Sequence, residues 1–300
     1  MSAVPSPADV IWEPAADAWE RSQLADFARF DPDLTSYEQV LDLSLADPAR
    51  FYTRLSEWLD VPWHDQPERA VGSRAMPGAT WFPGGTLNYA ELALRQADRT
   101  PDTPAIVSLS QTRGRVALSW AELANQVARC RTGLVRHGVG PGDRVVAYLP
   151  NIAETTVAFL ATASLGAIWS SCAPEFGVRA VTDRWAQIEP TVLLAVDGYR
   201  YGTKDIDRRE HVEEIVAALP TLRHVVHVPY LDADGPDGWS ELLGGDGSEL
   251  AFEPVPFEHP LYVLFSSGTT GLPKPIVHGH GGITIEHAKT LALHYDLGPG

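Results

Sequence analysis

Residues 265–274 read Phe-Ser-Ser-Gly-Thr-Thr-Gly-Leu-Pro-Lys. Four hydroxyl side chains and two glycines fill the six positions Ser266, Ser267, Gly268, Thr269, Thr270 and Gly271, and Lys274 follows just beyond. Glycine lets the backbone turn sharply and lets N–H groups approach an anion closely. Hydroxyls add donors, and a lysine adds a point charge. Together these groups suit the phosphates of a nucleotide. The stretch is not a Walker A loop, whose lysine follows a glycine and precedes Ser or Thr. Here Pro273 precedes Lys274 and Pro275 follows it.

The chemistry needs a scaffold, and the pattern around the loop supplies one. The short apolar run Leu261 to Phe265 reads as a buried strand, so the loop leaves a strand end. Further strands are expected at Ala105 to Leu109, Arg115 to Leu118, Val145 to Leu149, Ala167 to Ser170, Thr191 to Val196 and His224 to Val228. Helices are expected between them. One follows the capping box Ser119-Trp120-Ala121-Glu122, and another opens at Asn88 with an Asx cap. Others run from Asn151, from Val178 to a stop at Pro190, and from Arg208 to Leu219, and a last one runs from about Ile283 to Tyr295. Strands alternating with helices imply βαβ units, hence an α/β fold with mainly parallel sheets flanked by helices. In such sheets ligands sit beyond the carboxyl ends of the strands, where this loop falls. Asp232 to Glu249 is rich in Gly and Asp and reads as a surface excursion, while Pro62 to Gly85 reads as a connector. Aromatics from Trp12 to Trp58 are spaced like helices broken at Pro14, Pro32 and Pro48, which adds a helical N-terminal layer. The expected division is a helical N-terminal region over 1–86 and the first part of a nucleotide-binding domain over 87–300.

Composition narrows the function. The chain has 300 residues, 44% hydrophobic and 21% charged, enough for a sizeable core. Its net charge of −16 argues against nonspecific nucleic-acid binding, which runs on basic surface. The two cysteines, Cys130 and Cys172, make no disulfide framework and fit a reducing cytoplasm. No basic start followed by an apolar segment suggests secretion, and Val157 to Trp169 is too short for a bilayer span. His278, His280 and His287 form no recognised zinc pattern, so no metal site is expected there. Oligomeric state is not legible.

The loop resembles the phosphate-binding signature of the acyl-adenylate-forming superfamily, which includes acyl-CoA synthetases, peptide-synthetase adenylation domains and luciferases. Trp81-Phe82-Pro83-Gly84-Gly85-Thr86-Leu87-Asn88-Tyr89-Ala90-Glu91 resembles the acetyl-/acetoacetyl-CoA synthetase branch. Gly138 to Val145, with Leu149-Pro150-Asn151, is similar to the wider superfamily. Gly166 to Gly177, Asp197 to Gly202 and Val277 to Gly282 are similar to the acetoacetate-specific members. The resemblance runs from about Trp12 to Gly300.

What the resemblance implies is a two-step ligase. A carboxylate, here acetoacetate, attacks the α-phosphorus of ATP to give an acyl-adenylate and pyrophosphate. The thiol of coenzyme A then displaces AMP. Mg²⁺ is expected on the phosphates, and small molecules rather than nucleic acid or membrane are the expected partners. Acetate or propionate as the acid is the alternative of the same mechanism, and a noncatalytic nucleotide-binding module is the alternative of another class.

By resemblance, Ser266, Ser267, Gly268, Thr269, Thr270, Gly271 and Lys274 hold the phosphates, with Lys274 and Thr269 as the catalytic candidates. Arg200 is the candidate for the nucleotide end of coenzyme A, with Lys204 assisting; both read equally as a solvated loop pair. Gly166 either lines the pantetheine path or permits tight helix–strand packing. Trp169 and His278 are acyl-pocket candidates, with core packing and ordinary structure as their other readings. Members of the branch are longer. Their adenine motif, ribose-binding aspartate and mobile C-terminal domain are expected downstream of this sequence, so these 300 residues alone are expected to show no turnover.

Overall fold

The computed structural model describes residues 12–245, 249–267 and 271–298. The chain forms two compact units: residues 1–61, 69–80 and 285–300, and residues 62–68 with 81–284.

The first unit is helical. Helices α1 (Ala18–Arg21), α2 (Gln23–Phe30), α3 (Tyr37–Ala46) and α4 (Pro48–Trp58) follow in order. Ser22, Ser36 and Asp47 cap the last three by accepting a backbone N–H from Ala25, Gln39 and Arg50. Pro48 therefore opens a helix rather than breaking one. Its missing N–H costs nothing in a first turn. Phe27, fully buried, meets the edges of Phe51 and Trp58 at 5.6 Å between centroids. The buried carboxylate of Asp31 receives the Arg50 guanidinium at 2.7–3.1 Å. That bond holds the Asp31 carboxyl below its usual range.

The connector is less featureless than its composition suggests. It carries β1 (Val71–Ser73), β2 (Thr80–Trp81) and β3 (Thr86–Leu87). Then come α5 (Tyr89–Leu94), α6 (Gln96–Arg99), β4 (Pro104–Ser108) and β5 (Val116–Ser119), the last two an antiparallel pair. The capping box at Ser119 and Glu122 is formed, and it starts α7 (Trp120–Arg136).

The main sheet is built from β6 (Arg144–Tyr148), β7 (Ile168–Cys172), β8 (Val192–Val196), β11 (His224–Val228), β13 (Pro260–Ser266) and β14 (Lys274–Gly279). Between them lie α8 (Ala153–Ser164), α9 (Val178–Trp185), β9 (Gly198–Tyr201), β10 (Lys204–Asp207), α10 (Arg209–Ala218), α11 (Gly238–Leu242) and β12 (Val255–Pro256). The strand order is β11-β8-β6-β7-β13-β14. The first five are parallel and β14 is antiparallel to β13. Helix α12 (His280–Lys289) and a π-helical turn (Thr290–His294) follow.

Side-chain alternation along these strands builds two cores. Val145, Ala147, Val192, Leu194 and Val226 face the core made with α5, α7 and α8. Val146, Tyr148, Leu193 and Ala195 face the core made with α9 and α10. Burial on both faces explains why the strands read as continuous apolar runs.

Two expectations are corrected. A strand, β14, and not a helix, follows the hydroxyl-rich loop, and the last helix begins at His280 rather than near Ile283. Asp232 to Glu249 is not only a surface excursion, because α11 buries Trp239 and Leu242. Gly133 of α7 leaves room for it: a Cβ there would overlap the Leu242 carbonyl oxygen.

Candidate functional site

The hydroxyl-rich loop joins β13 to β14 as a hairpin, closed by the pair Ser266↔Lys274. Since β13 runs parallel to β7, the loop leaves the carboxyl edge of the sheet. Ser266, Ser267, Gly271 and Lys274 are exposed. Gly271 has φ +134°, and nothing lies within 4 Å of where its Cβ would be, so conformation rather than crowding requires glycine. Gly268, Thr269 and Thr270 lie outside the described residues. Among the described residues no carboxylate pairs with Lys274. An ammonium without a carboxylate partner among the described residues, beside hydroxyls at this edge, has the chemistry to receive a polyanion.

The same edge carries a second hairpin, β9–β10. Asp197 ends β8, and its carboxylate accepts the backbone N–H groups of Tyr230 and Leu231 at 3.0 Å and of Asp232 at 2.6 Å. It thereby fixes the turn that leaves β11. Arg200 stands opposite Asp205 across the hairpin. Two bonds of 2.5 and 2.8 Å join them. The paired hydrogen bonds raise the Arg200 pKa and lower that of Asp205. Lys204 is exposed one pair further along, opposite Tyr201. Successive pairs of a hairpin point to opposite faces, so Lys204 lies on the other face from Arg200, and the arginine already holds a carboxylate.

Gly166, Trp169 and His278 lie toward the other edge. Gly166 follows α8 with φ +65°, and a Cβ would come within 2.9 Å of Val255 Cγ1. Its carbonyl accepts the Gly142 N–H at 2.9 Å and lies 2.7 Å from His259 Nε2. Backbone conformation and close packing account for this glycine. Trp169 is buried in the apolar core, with its ring 5.9 Å from that of Phe159. His278 pairs with Tyr262, their rings 5.2 Å apart. That is four register steps from Ser266↔Lys274, or about 13 Å along the strand. The sheet therefore does not bring these three to the loop.

The other groups singled out by sequence have structural surroundings. His280 is fully buried; its Nδ1 accepts the Tyr89 N–H at 3.2 Å, and burial pushes its pKa down to about 3. Burial pushes the Cys172 thiol up to about 11, which disfavours a nucleophile. Among the described residues no three His, Cys, Asp or Glu side chains are grouped to hold a metal. No helix among them is long and apolar enough to cross a membrane.

Sequence reasoning missed two residues that shape the carboxyl edge. The buried hydroxyl of Tyr148 lies 2.7 Å from the Pro174 carbonyl oxygen and 2.6 Å from that of Phe176, donating to one at a time. Burial raises its pKa to about 12, so it stays a donor. Arg208 Nε donates to the same Pro174 carbonyl at 2.8 Å, and its guanidinium lies over the Tyr199 ring. Together they hold the turn 173–177, which leaves the carboxyl end of β7. Tyr148 reads as an ordinary apolar position in its strand; only the adjoining prolines hint at carbonyls needing donors.

Comparison with known proteins follows this geometry. The model of the AMP-binding enzyme family matches residues 94–298, and that of the acetyl-coenzyme A synthetase N-terminus matches residues 37–93. An acetoacetyl-coenzyme A synthetase of Rhizobium meliloti (strain 1021) is 37% identical over 97% of this chain and 46% of its own length. A malonamoyl-CoA synthetase of Penicillium aethiopicum is 32% identical over 99% of this chain and 44% of its own. The solved acetoacetyl-CoA synthetase of Streptomyces lividans superposes with a TM-score of 0.92 at 48% identity, covering 96% of this chain and 46% of that one. The chain thus spans about half the length of the curated relatives it matches. With the first model covering more than half its residues, the chain belongs to the AMP-binding enzyme family, matching the N-terminal portion of acetoacetyl-CoA synthetases.

Proposed function

We propose that this chain is the N-terminal part of an ATP-dependent acid–thiol ligase that converts acetoacetate to acetoacetyl-CoA through an acyl-adenylate. The observation that carries the reading is the β13–β14 hairpin, with its exposed hydroxyls and uncommitted Lys274, at the carboxyl edge of a parallel sheet. In this reading residues 1–86 form the N-terminal region and 87–300 the first part of the nucleotide-binding domain. Ser266, Ser267, Gly271 and Lys274, with Gly268, Thr269 and Thr270 between them, hold the β- and γ-phosphates and stabilise the charge that builds on leaving pyrophosphate. Mg²⁺ arrives on the ATP phosphates, since no preformed acidic cage is grouped among the described residues. Arg200, and Lys204 on the other face of the hairpin, are the cations offered to the phosphates of coenzyme A. The exposed Arg200–Asp205 pair is worth little in itself, so a phosphate can replace the carboxylate at small cost. Two unpaired cysteines support a cytoplasmic setting.

The malonamoyl-CoA synthetase relative favours a second reading of the acid. Malonamate differs from acetoacetate by an amino group in place of the terminal methyl, and the two are near-isosteric. The test is ATP–pyrophosphate exchange by the complete protein with acetoacetate, malonamate, acetate, propionate and no acid. Exchange strongest with acetoacetate supports the proposal. A preference for another acid keeps the mechanism and changes the substrate, and no exchange with any acid overturns both.

A further inference from the structure

The phosphate hairpin projects from the sheet, and its described limb, Gly271 to Lys274, is mostly exposed. Its strands are paired up to Ser266↔Lys274, but that pairing fixes only the base of the loop. Pro273 has no N–H, so its carbonyl is the sole backbone polar group by which the limb can be held at that position. This carbonyl is occupied. Gln187, just past the end of α9, donates its side-chain Nε2–H to Pro273 O at 2.9 Å. The same nitrogen donates to Asp183 O at 2.8 Å. A primary amide carries two N–H groups, so both bonds form at once. The bond to Asp183 anchors the amide to α9 by satisfying a carbonyl left over at the helix's C-terminal end. The bond to Pro273 reaches 86 residues along the chain. Among the described residues it is the side-chain bond from outside the hairpin that reaches residues 271–273.

The helix that carries Gln187 is itself firmly placed. Val181 and Trp185 of α9 are fully buried in the core under β6 and β8. The turn before its first residue is the one held by Tyr148 and Arg208. A rigid element thus presents one amide to one limb of an exposed loop. We infer that Gln187 is a positioning residue, which holds the Pro273 limb so that Lys274 and its neighbouring donors meet the ATP phosphates pre-ordered. The inference rests on the reading of the hairpin as the nucleotide-phosphate loop. Ordering the loop before binding spares the nucleotide the cost of ordering it, which appears as affinity for ATP.

Gln187 is exposed, so its replacement leaves the core untouched. The test uses Gln187→Met, which keeps length and neutrality but has no donor, and Gln187→Ala, both in the complete protein. Steady-state constants for ATP and coenzyme A are measured with the best acid, alongside thermal melting. The expected result is a KM for ATP raised about three- to tenfold in both variants, the worth of one hydrogen bond, with the KM for coenzyme A and the melting temperature unchanged. An unchanged KM for ATP, or equal changes in all constants with a lowered melting temperature, overturns the positioning role while leaving the hairpin's role standing. Absence of ATP-dependent exchange in the unsubstituted protein overturns the phosphate-loop reading and this inference with it.

Discussion

His280 makes the second unit sensitive to acid, and the size of the effect follows from its surroundings. The ring is fully buried at the start of α12, its Nδ1 accepts the Tyr89 N–H, and the His259 ring lies 5.8 Å away. Burial, and then the positive charge available to His259, depress the pKa from 6.5 to about 3. Between those values the unfolded chain binds a proton that the folded chain refuses. The contribution is therefore complete above pH 6.5 and is lost progressively as pH falls toward 3. Each unit is worth about 1.4 kcal/mol, so lowering the pH from 7 to 5 removes about 2 kcal/mol through this group. His280→Asn separates this term from all others. The Asn Oδ1 replaces Nδ1 as acceptor for Tyr89 and does not titrate. The smaller side chain lowers stability at pH 7, but the fall between pH 7 and pH 5 shrinks by about 2 kcal/mol relative to the parent. Urea unfolding followed by circular dichroism at both pH values measures that difference of differences. Equal falls in parent and variant would refute the reasoning, because His280 would then titrate alike in both states.

Other consequences follow from single contacts. Gly133→Ala gains about 1 kcal/mol of helix propensity but drives a methyl into the Leu242 carbonyl and its side chain, so a net loss of about 1–2 kcal/mol is expected in urea unfolding. Lys274→Ala removes the exposed cation of the proposed phosphate loop and is expected to lower kcat/KM for ATP about tenfold or more, with melting unchanged. Asp31→Ala strips Arg50 of its buried partner and is expected to destabilise the first unit by at least about 1 kcal/mol. Because the Asp31 carboxyl is held low, that contribution is present above the ordinary carboxylate range and fades as acid protonates it, so parent and variant should converge at low pH in urea titrations.

The parallel core was legible because its strands are short apolar runs between capped helices. Val192 to Val196, buried throughout, and the Ser119 capping box left little choice. Strand β14 was not legible. Pro275 breaks its pattern, and its exposed Ile276 and Val277 show no alternation, so only pairing with β13 makes it a strand. Helix α11 hid in a Gly/Asp-rich stretch, although Asp237 as its cap and the apolar Trp239, Leu242 and Leu243 were the signal to follow.

At the candidate site, residue types were legible and distances were not. Residue types suggested a phosphate loop and resemblance suggested Arg200, but the hydrogen bonds that tie Arg200 to Asp205 depend on hairpin register. His278 is near the loop in sequence and about 13 Å from its base along an intervening strand. Gln187 and Tyr148 act on backbone carbonyls far along the chain, and no local pattern marks such a donor.

In the proposed reaction, acid activation passes through attack on the α-phosphorus of ATP. The measurement that tests it most directly is the fate of carboxylate oxygen in the complete protein. Acetoacetate labelled with ¹⁸O in its carboxyl group is turned over with ATP and coenzyme A, and the phosphorus-containing products are examined by mass spectrometry. The account predicts one labelled oxygen in AMP and none in pyrophosphate, since AMP leaves with the oxygen that attacked. Label in inorganic phosphate, with ADP as the nucleotide product, would contradict it.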